Sequence, residues 1–285
     1  MDSNQIKELE EIARRIRFDI IKMTYNAGSG HPGGSLSIVE ILTSLFFHHL
    51  NHNPKNPHWE ERDRVILSKG HACPALYSAL AEAGYFPRNE LWSLRKLGSR
   101  LQGHPALDRH LPGIEVSTGS LGQGLSIAVG MAIAGKHLDN SSWRVFTVLG
   151  DGEIQEGQVW EAFMSAGHYK LDNLVAIIDN NDLQIDGFVC DVMNIHPIPE
   201  KLSSFGWRVM PVDGHSIPAI VKALYDAKKV KGLPTAIIAK TIKGKGVSFM
   251  ENKAEWHGKA PKREEALNAV KELGFPPDAL DNDIE

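Results

Sequence analysis

Five short apolar runs interleaved with helical patterns constrain this chain more than any other feature. They read "RVILS" (64–68), "VFTVLG" (145–150), "LVAIID" (174–179), "RVMPV" (208–212) and "TAIIAK" (235–240). Four of the five are apolar almost throughout, as strands covered on both faces must be. Helical patterns lie near 36–48, 72–84, 122–138, 157–170 and 216–230. The alternation predicts an α/β fold with a doubly wound, mostly parallel sheet. In such sheets ligands sit beyond the carboxyl ends of the strands. The segment 85–121 has no clear strand and is rich in Gly, Pro, His and Arg, so it reads as a long excursion near a site. With no repeat and no Pro/Ser-rich linker, residues 1–285 are expected to form one domain. One amphipathic helix closes the chain, followed by a Pro/Asp tail (about 275–285) expected to fray.

Charge and cysteine content exclude several classes. The net charge is −4 with no long run of either sign, which gives no support for a nucleic-acid partner. No apolar stretch reaches the length a bilayer requires, and the charged, helix-patterned N-terminus has no signal-peptide core. Cys73 and Cys190 are the only cysteines, without a CxxC, so neither a disulfide framework nor a thiolate zinc site is expected. A reducing, cytoplasmic setting fits this usage.

Two strand ends carry the chemistry. "VLGDGEIQEG" (148–157) ends an apolar run on Gly150-Asp151-Gly152, and "LVAIIDNNDLQIDG" (174–187) ends the next on Asn181. Asp151 and Asn181 are thirty positions apart with one helix between them. A single βαβ step would set the two ends side by side. A carboxylate, an amide oxygen and a freed backbone carbonyl are hard ligands, suited to Mg²⁺ or Ca²⁺ but too few to fill its shell. Phosphate oxygens of a substrate or cofactor commonly complete such a shell. Gly150 and Gly152 would let a diphosphate approach the backbone, and the following helix N-terminus would favour its charge. Two unrelated turns would use the same residue types, but the spacing and both strand contexts favour one site.

His31, His71 and His104 each follow a glycine, and His257 precedes one. Histidine is the usual acid/base near neutral pH, and an adjacent glycine lets a ligand come close. A structural role is the commoner fate of a histidine and is assigned to His48, His49, His52, His58, His110 and His137. "STGSLGQGL" (117–125) reverses the glycine order of a dinucleotide fingerprint and follows no clear strand. "GMAIAGKH" (130–137) departs from a P-loop at His137 and is helical in pattern.

The phrase GDG followed after about thirty residues by NN resembles the metal–diphosphate signature of thiamine diphosphate-dependent enzymes. The wider chain, from about residue 10 to about residue 262, resembles the N-terminal, diphosphate-binding part of the transketolases. Seven phrases in order carry the likeness: "GSGHPGG" (28–34), "LSKGHACPALY" (67–77), "QGHP" (102–105), "STGSLGQGL" (117–125), "GDGEIQEGQVWEA" (150–162), "DNNDLQIDG" (179–187) and "WHGKAP" (256–261). The resemblance implies thiamine diphosphate and Mg²⁺ (Ca²⁺ or Mn²⁺ substituting), the metal held by Asp151, Asn181 and the carbonyl of Leu183. It implies cofactor contacts from His71, Gly119, Leu121, Gly150, Asp151, Gly152, Glu153, Asn181, Ile185 and His257. It places His31, His71, His104 and His257 along the channel to the thiazolium, as catalytic groups. It also suggests that Glu156 and Glu161 join a carboxylate network across a subunit interface.

The implied reaction is transfer of a two-carbon ketol unit from a ketose phosphate to an aldose phosphate. The "QEG" after GDG and the "GHP" at 103–105 favour this over a 1-deoxyxylulose-5-phosphate synthase-like activity. A non-catalytic cofactor-binding subunit has no chemical need for four channel histidines. Departures from the family are Lys243, where many transketolases have isoleucine, and "GHPA" after Gln102. The domain that supplies the glutamate for the aminopyrimidine and the arginines for sugar phosphate has no counterpart here. The expected partner is therefore a second, C-terminal transketolase subunit, in an α2β2 hetero-tetramer.

Overall fold

The five apolar runs form a single parallel sheet in the computed structural model, which describes residues 1–282. Its strands are β1 (Arg64–Leu67), β2 (Val145–Gly150), β3 (Leu174–Asn180), β4 (Arg208–Asp213) and β5 (Thr235–Lys240). They lie in the order β1-β2-β3-β5-β4, and every neighbouring pair is parallel. The sequence pattern thus located all five strands to within a residue.

Side chains of each strand alternate between two cores. Phe146, Val148, Val175, Ile177, Ile237 and Ala239 face one. Val145, Leu149, Leu174, Ala176, Ile178, Ala236 and Ile238 face the other. Both faces are covered, so the period-2 polarity signal of a half-exposed sheet vanishes in β2, β3 and β5. The strand that did not read as continuously apolar, β4, is an edge strand, exposed at Arg208, Pro211 and Asp213. Proline is tolerated there because an edge strand leaves some N–H groups unpaired.

Helices cover both faces: α1 (Ser3–Ala27), α2 (Cys73–Glu82), α3 (Gln123–Ile133), α4 (Gly157–His168), α5 (Ile217–Lys229) and α6 (Arg263–Glu272). Asp2 caps α1 by accepting from the N–H groups of Asn4 and Gln5, with Gln5 completing a capping box. Gly28 ends it in the left-handed conformation. The apolar stripe of Ile12, Ile16, Ile20 and Met23 buries α1 in the first core.

Two expectations need correction. The helical pattern at 36–48 is split into Pro32–Leu36 and Val39–Ser44, continued by a π-helical turn at Leu45–His49. The split falls beside Ser37, whose hydroxyl bonds the Gly34 carbonyl (3.0 Å) and the Asp179 carboxylate (2.7 Å). The tail expected to fray is packed through Asn282. Phe275 lies against Phe18 with ring centroids 4.6 Å apart, and Ala279 and Leu280 are buried. Lys22 Nζ donates to the carbonyls of Ala279 (3.2 Å) and Asn282 (2.5 Å). The last three positions of that tail lie outside the described residues. Among the described residues no helix is long and apolar enough to cross a membrane.

Candidate cofactor and metal site

Strand register brings the two acidic phrases together. β2 and β3 are direct neighbours, with Gly150 opposite Asp179. The chain leaves both strands at the same end, and the Asp151 N–H donates to the Asp179 carbonyl (3.2 Å). Asp151 then accepts from the N–H groups of Gly152 (2.8 Å) and Asp182 (2.5 Å). Asn181 Oδ1 accepts from Leu183 N–H (3.1 Å). A small antiparallel pair, Leu183–Gln184 with Gly187–Phe188, turns the chain there and was not foreseen in sequence. Two residues per strand are too few for a periodicity to register.

These residues line a cleft of ≈ 190 Å³. Of the residues singled out from sequence, His71, Leu121, Gly150, Asp151, Gly152, Glu153, Asn181, Leu183, Ile185 and His257 line it. His31 and His104 adjoin it through ring contacts. His31 lies 5.3 Å from His71, 6.2 Å from His104 and 5.6 Å from His257 between centroids, and His71 lies 4.9 Å from His257. Four segments scattered over the sequence therefore converge on one cluster. Gly119 supports it from behind: with φ +137°, an added Cβ would lie 2.9 Å from the His104 ring.

The rings are held neutral. Burial, then the charges of Arg95, His104, Lys243 and Lys69, lowers His31 to about 4. Burial, then Lys243, His31 and Lys69, lowers His257 to about 3. Burial also drives His71 well below its ordinary value, helped by Lys69, and lowers His104, helped by Arg95. Neutral imidazoles offer one donor and one acceptor each, which suits them to orienting hydroxyls.

Glu153 belongs to the cleft wall but turns inward. Its carboxylate accepts from Ser68 Oγ (2.5 Å), Gly122 N–H (2.9 Å) and Gly150 N–H (3.0 Å), tying the end of β2 to the 118–122 loop. Burial raises its pKa in spite of those bonds.

Lys69, Lys243 and His215 are the residues sequence reasoning left without a role. Lys243 Nζ donates to the Leu183 carbonyl (3.2 Å) and lies 2.9 Å from His257 Nδ1. Burial and the Lys69 charge lower it to about 8, against the pull of Asp179 and Asp151. Its loop is clamped from below. His215 accepts from Ile242 N–H (2.8 Å) and bonds Glu40 (3.0 Å), and Glu40 pairs with Arg17 (2.5 Å). Gly214-His215 is another glycine–histidine pair just past a strand, so the signal used for the other four was present. For Lys69 a lone buried lysine leaves no signature, because its partner Asp179 is 110 positions away.

The donor set fits a hard divalent cation. Asp151, the Asn181 amide oxygen and the Leu183 carbonyl are all oxygen ligands, and the Leu183 carbonyl already receives a cationic group from Lys243. Among the described residues no three His, Cys, Asp or Glu side chains gather as a metal site. Burial and then the Asp179 charge raise Asp151 to about 7, against its hydrogen bonds and Lys69. Unbalanced negative charge of this kind is what a cation relieves. Above Gly150 an added Cβ would meet nothing nearer than 3.9 Å, so the backbone faces open space where a diphosphate could lie.

Comparison with known proteins accords with this geometry. The family described as "Transketolase, thiamine diphosphate binding domain" matches residues 8–281. The transketolase of Rattus norvegicus is 46% identical over 275 residues, 95% of this chain and 43% of its own length. The 6-deoxy-6-sulfo-D-fructose transketolase subunit SqwG of Clostridium sp. (strain MSTE9) is also 46% identical, over 273 residues that make up 95% of this chain and 98% of that protein. Among solved structures, the transketolase of Campylobacter jejuni subsp. jejuni NCTC 11168 is 38% identical with a TM-score of 0.90, covering 98% of this chain and 44% of that one. That of Leishmania mexicana is 33% identical with a TM-score of 0.90, covering 94% and 42%. The chain thus spans less than half the length of the full transketolases it matches, and nearly all of one that is a subunit. A parallel sheet whose strand ends carry the GDG and NN phrases, matched in fold and along almost its whole length, places this chain in the transketolase family as a thiamine diphosphate-binding domain.

Proposed function

We propose that this chain is one domain, the diphosphate-holding subunit of a two-chain transketolase that moves a two-carbon ketol unit from a ketose phosphate to an aldose phosphate. The observation that carries the reading is the convergence of Asp151, Asn181 and Leu183 with four neutral histidines on one cleft. Thiamine diphosphate, when bound, supplies the carbon nucleophile and the electron sink for breaking the ketose C–C bond. Asp151, Asn181 and the Leu183 carbonyl would hold Mg²⁺, whose charge would offset that of the diphosphate. Gly150, Gly152 and Gly119 let the cofactor lie close to the backbone, while Leu121 and Ile185 present apolar surface to it. Lys243 adds positive charge beside His257. His71 and His257, nearest the lysines, hold the diphosphate end. His31, at the centre of the cluster, and His104, which joins it through His31, orient sugar hydroxyls and pass protons.

The division of histidine roles predicts distinct kinetic signatures. His104→Ala is expected to lower kcat/KM for the donor sugar by about 100-fold with cofactor affinity nearly unchanged. His71→Ala and His257→Ala are expected to weaken cofactor binding as well. Steady-state kinetics and cofactor titration of the three variants check this, and identical profiles would count against the assignment.

The partner surface is proposed beside the cleft mouth. Ile185, Phe188, Val192 and Met193 are exposed within nine residues, continuous with the cleft wall through Ile185. Such a patch marks a protein contact. Phe188→Ser combined with Met193→Ser is expected to weaken binding of the second subunit at least tenfold, measured by titration of one chain with the other. The named relative is a subunit, which supports a separate partner chain, and an α2β2 assembly follows the symmetry usual in such complexes.

A further inference from the structure

Asp179 precedes the Asn181 ligand by two positions and would serve a cation equally well as a residue type. Its environment removes it from that role. The side chain is 0% exposed. One oxygen accepts from the Thr241 hydroxyl. The other accepts from Ser37 Oγ (2.7 Å), Lys69 Nζ (2.5 Å) and Asn181 Nδ2 (2.9 Å). Four donors surround this fully buried carboxylate, which leaves no open approach for a metal.

The consequence falls on Asn181. An asparagine amide presents either its oxygen or its nitrogen to a given side, and its neighbours decide which. Asp179 can only accept, so the Asn181 nitrogen must face it. The oxygen is left on the side of the Leu183 N–H and the cleft (3.1 Å). A reversed amide would set its oxygen against a buried carboxylate and offer an NH₂ group to the cation. Lys69 is in turn fixed by the Gly34 carbonyl (3.0 Å), which anchors the pair to the segment carrying His31.

We propose that Asp179 is a positioning residue that aims the Asn181 amide oxygen at the divalent cation; this rests on reading Asn181 as a metal ligand. Groups behind a metal ligand commonly alter affinity by about 10–100-fold when removed. The test uses Mn²⁺ as the probe, titrated by electron paramagnetic resonance into the two-subunit protein with saturating thiamine diphosphate. Lys69→Met/Asp179→Asn is compared with Lys69→Met/Asp179→Leu. Both lack the buried ion pair and keep similar volume, and they differ in the acceptor oxygen beside Asn181. The leucine variant is expected to bind Mn²⁺ about tenfold or more weakly than the asparagine variant. Equal affinities in two folded proteins would overturn the proposal.

Asn181→Asp gives a second measurement should the leucine variant not fold. Added negative charge alone would tighten Mn²⁺ binding. Loss of the donor to Asp179, with two carboxylates left in contact, is expected to weaken it. Unchanged or tighter binding by Asn181→Asp would overturn the proposal. If the unsubstituted protein bound no Mn²⁺ at all, the metal reading itself would fall, and this inference with it.

Discussion

Purified by itself with thiamine diphosphate, Mg²⁺ and sugar phosphates, this chain is expected to show no ketol transfer, and activity is expected to appear when the second subunit is added. Forming the reactive carbanion needs a carboxylate at the cofactor's aminopyrimidine, which the resemblance assigns to a domain outside these 285 residues. The acids lining the cleft do not replace it. Asp151 is engaged with backbone N–H groups beside the proposed metal position, and Glu153 is turned into the wall by Ser68, Gly122 and Gly150. Glu156 is the N-cap of α4, and Asp186 lies in the two-residue turn between Leu183–Gln184 and Gly187–Phe188. The expected difference between isolated and mixed subunits is the whole of the catalysed rate. An assay of each subunit alone and of their mixture checks it. Robust turnover by the isolated chain would overturn the two-subunit reading.

Asp151→Ala is expected to weaken magnesium-dependent cofactor binding by more than about 100-fold, since it removes the only carboxylate among the three proposed ligands. Its two backbone hydrogen bonds, from Gly152 and Asp182, are lost as well. Asp151→Asn retains an acceptor for one of them and separates local loop order from metal charge. Both are expected to lose affinity for the cofactor, the alanine variant more, with the sheet melting as in the unsubstituted protein. Calorimetric titration of cofactor with and without Mg²⁺ measures this. Affinity unchanged in both variants would mean that the wrong loops have been paired.

Much of the architecture was legible in the residues. Continuous apolar runs such as "LVAIID" mark strands covered on both faces, and β2 and β3 lie where that pattern put them. The thirty-residue spacing from Asp151 to Asn181 holds one helix, which places the strand ends side by side through chain connectivity alone. The Pro and Asp content of 275–285 points to a frayed tail, whereas the structure buries Phe275 and Leu280. Phe275 finds Phe18 and Arg14 on α1, at the other end of the chain.

Local pattern and connectivity therefore determined the strands, their parallel pairing and the metal-ligand candidates, because hydrophobic period and loop length act over a few tens of residues. Tertiary structure alone decided what surrounds them. His31, His71, His104 and His257 meet because four separate segments fold over the carboxyl ends of one sheet, and their neutrality comes from burial that no single segment supplies. Asp179 is an acid in the sequence and becomes a saturated acceptor only when Lys69, Ser37 and Thr241 arrive from elsewhere in the chain. A residue's type sets which bonds it can make, and packing determines which partners remain to make them.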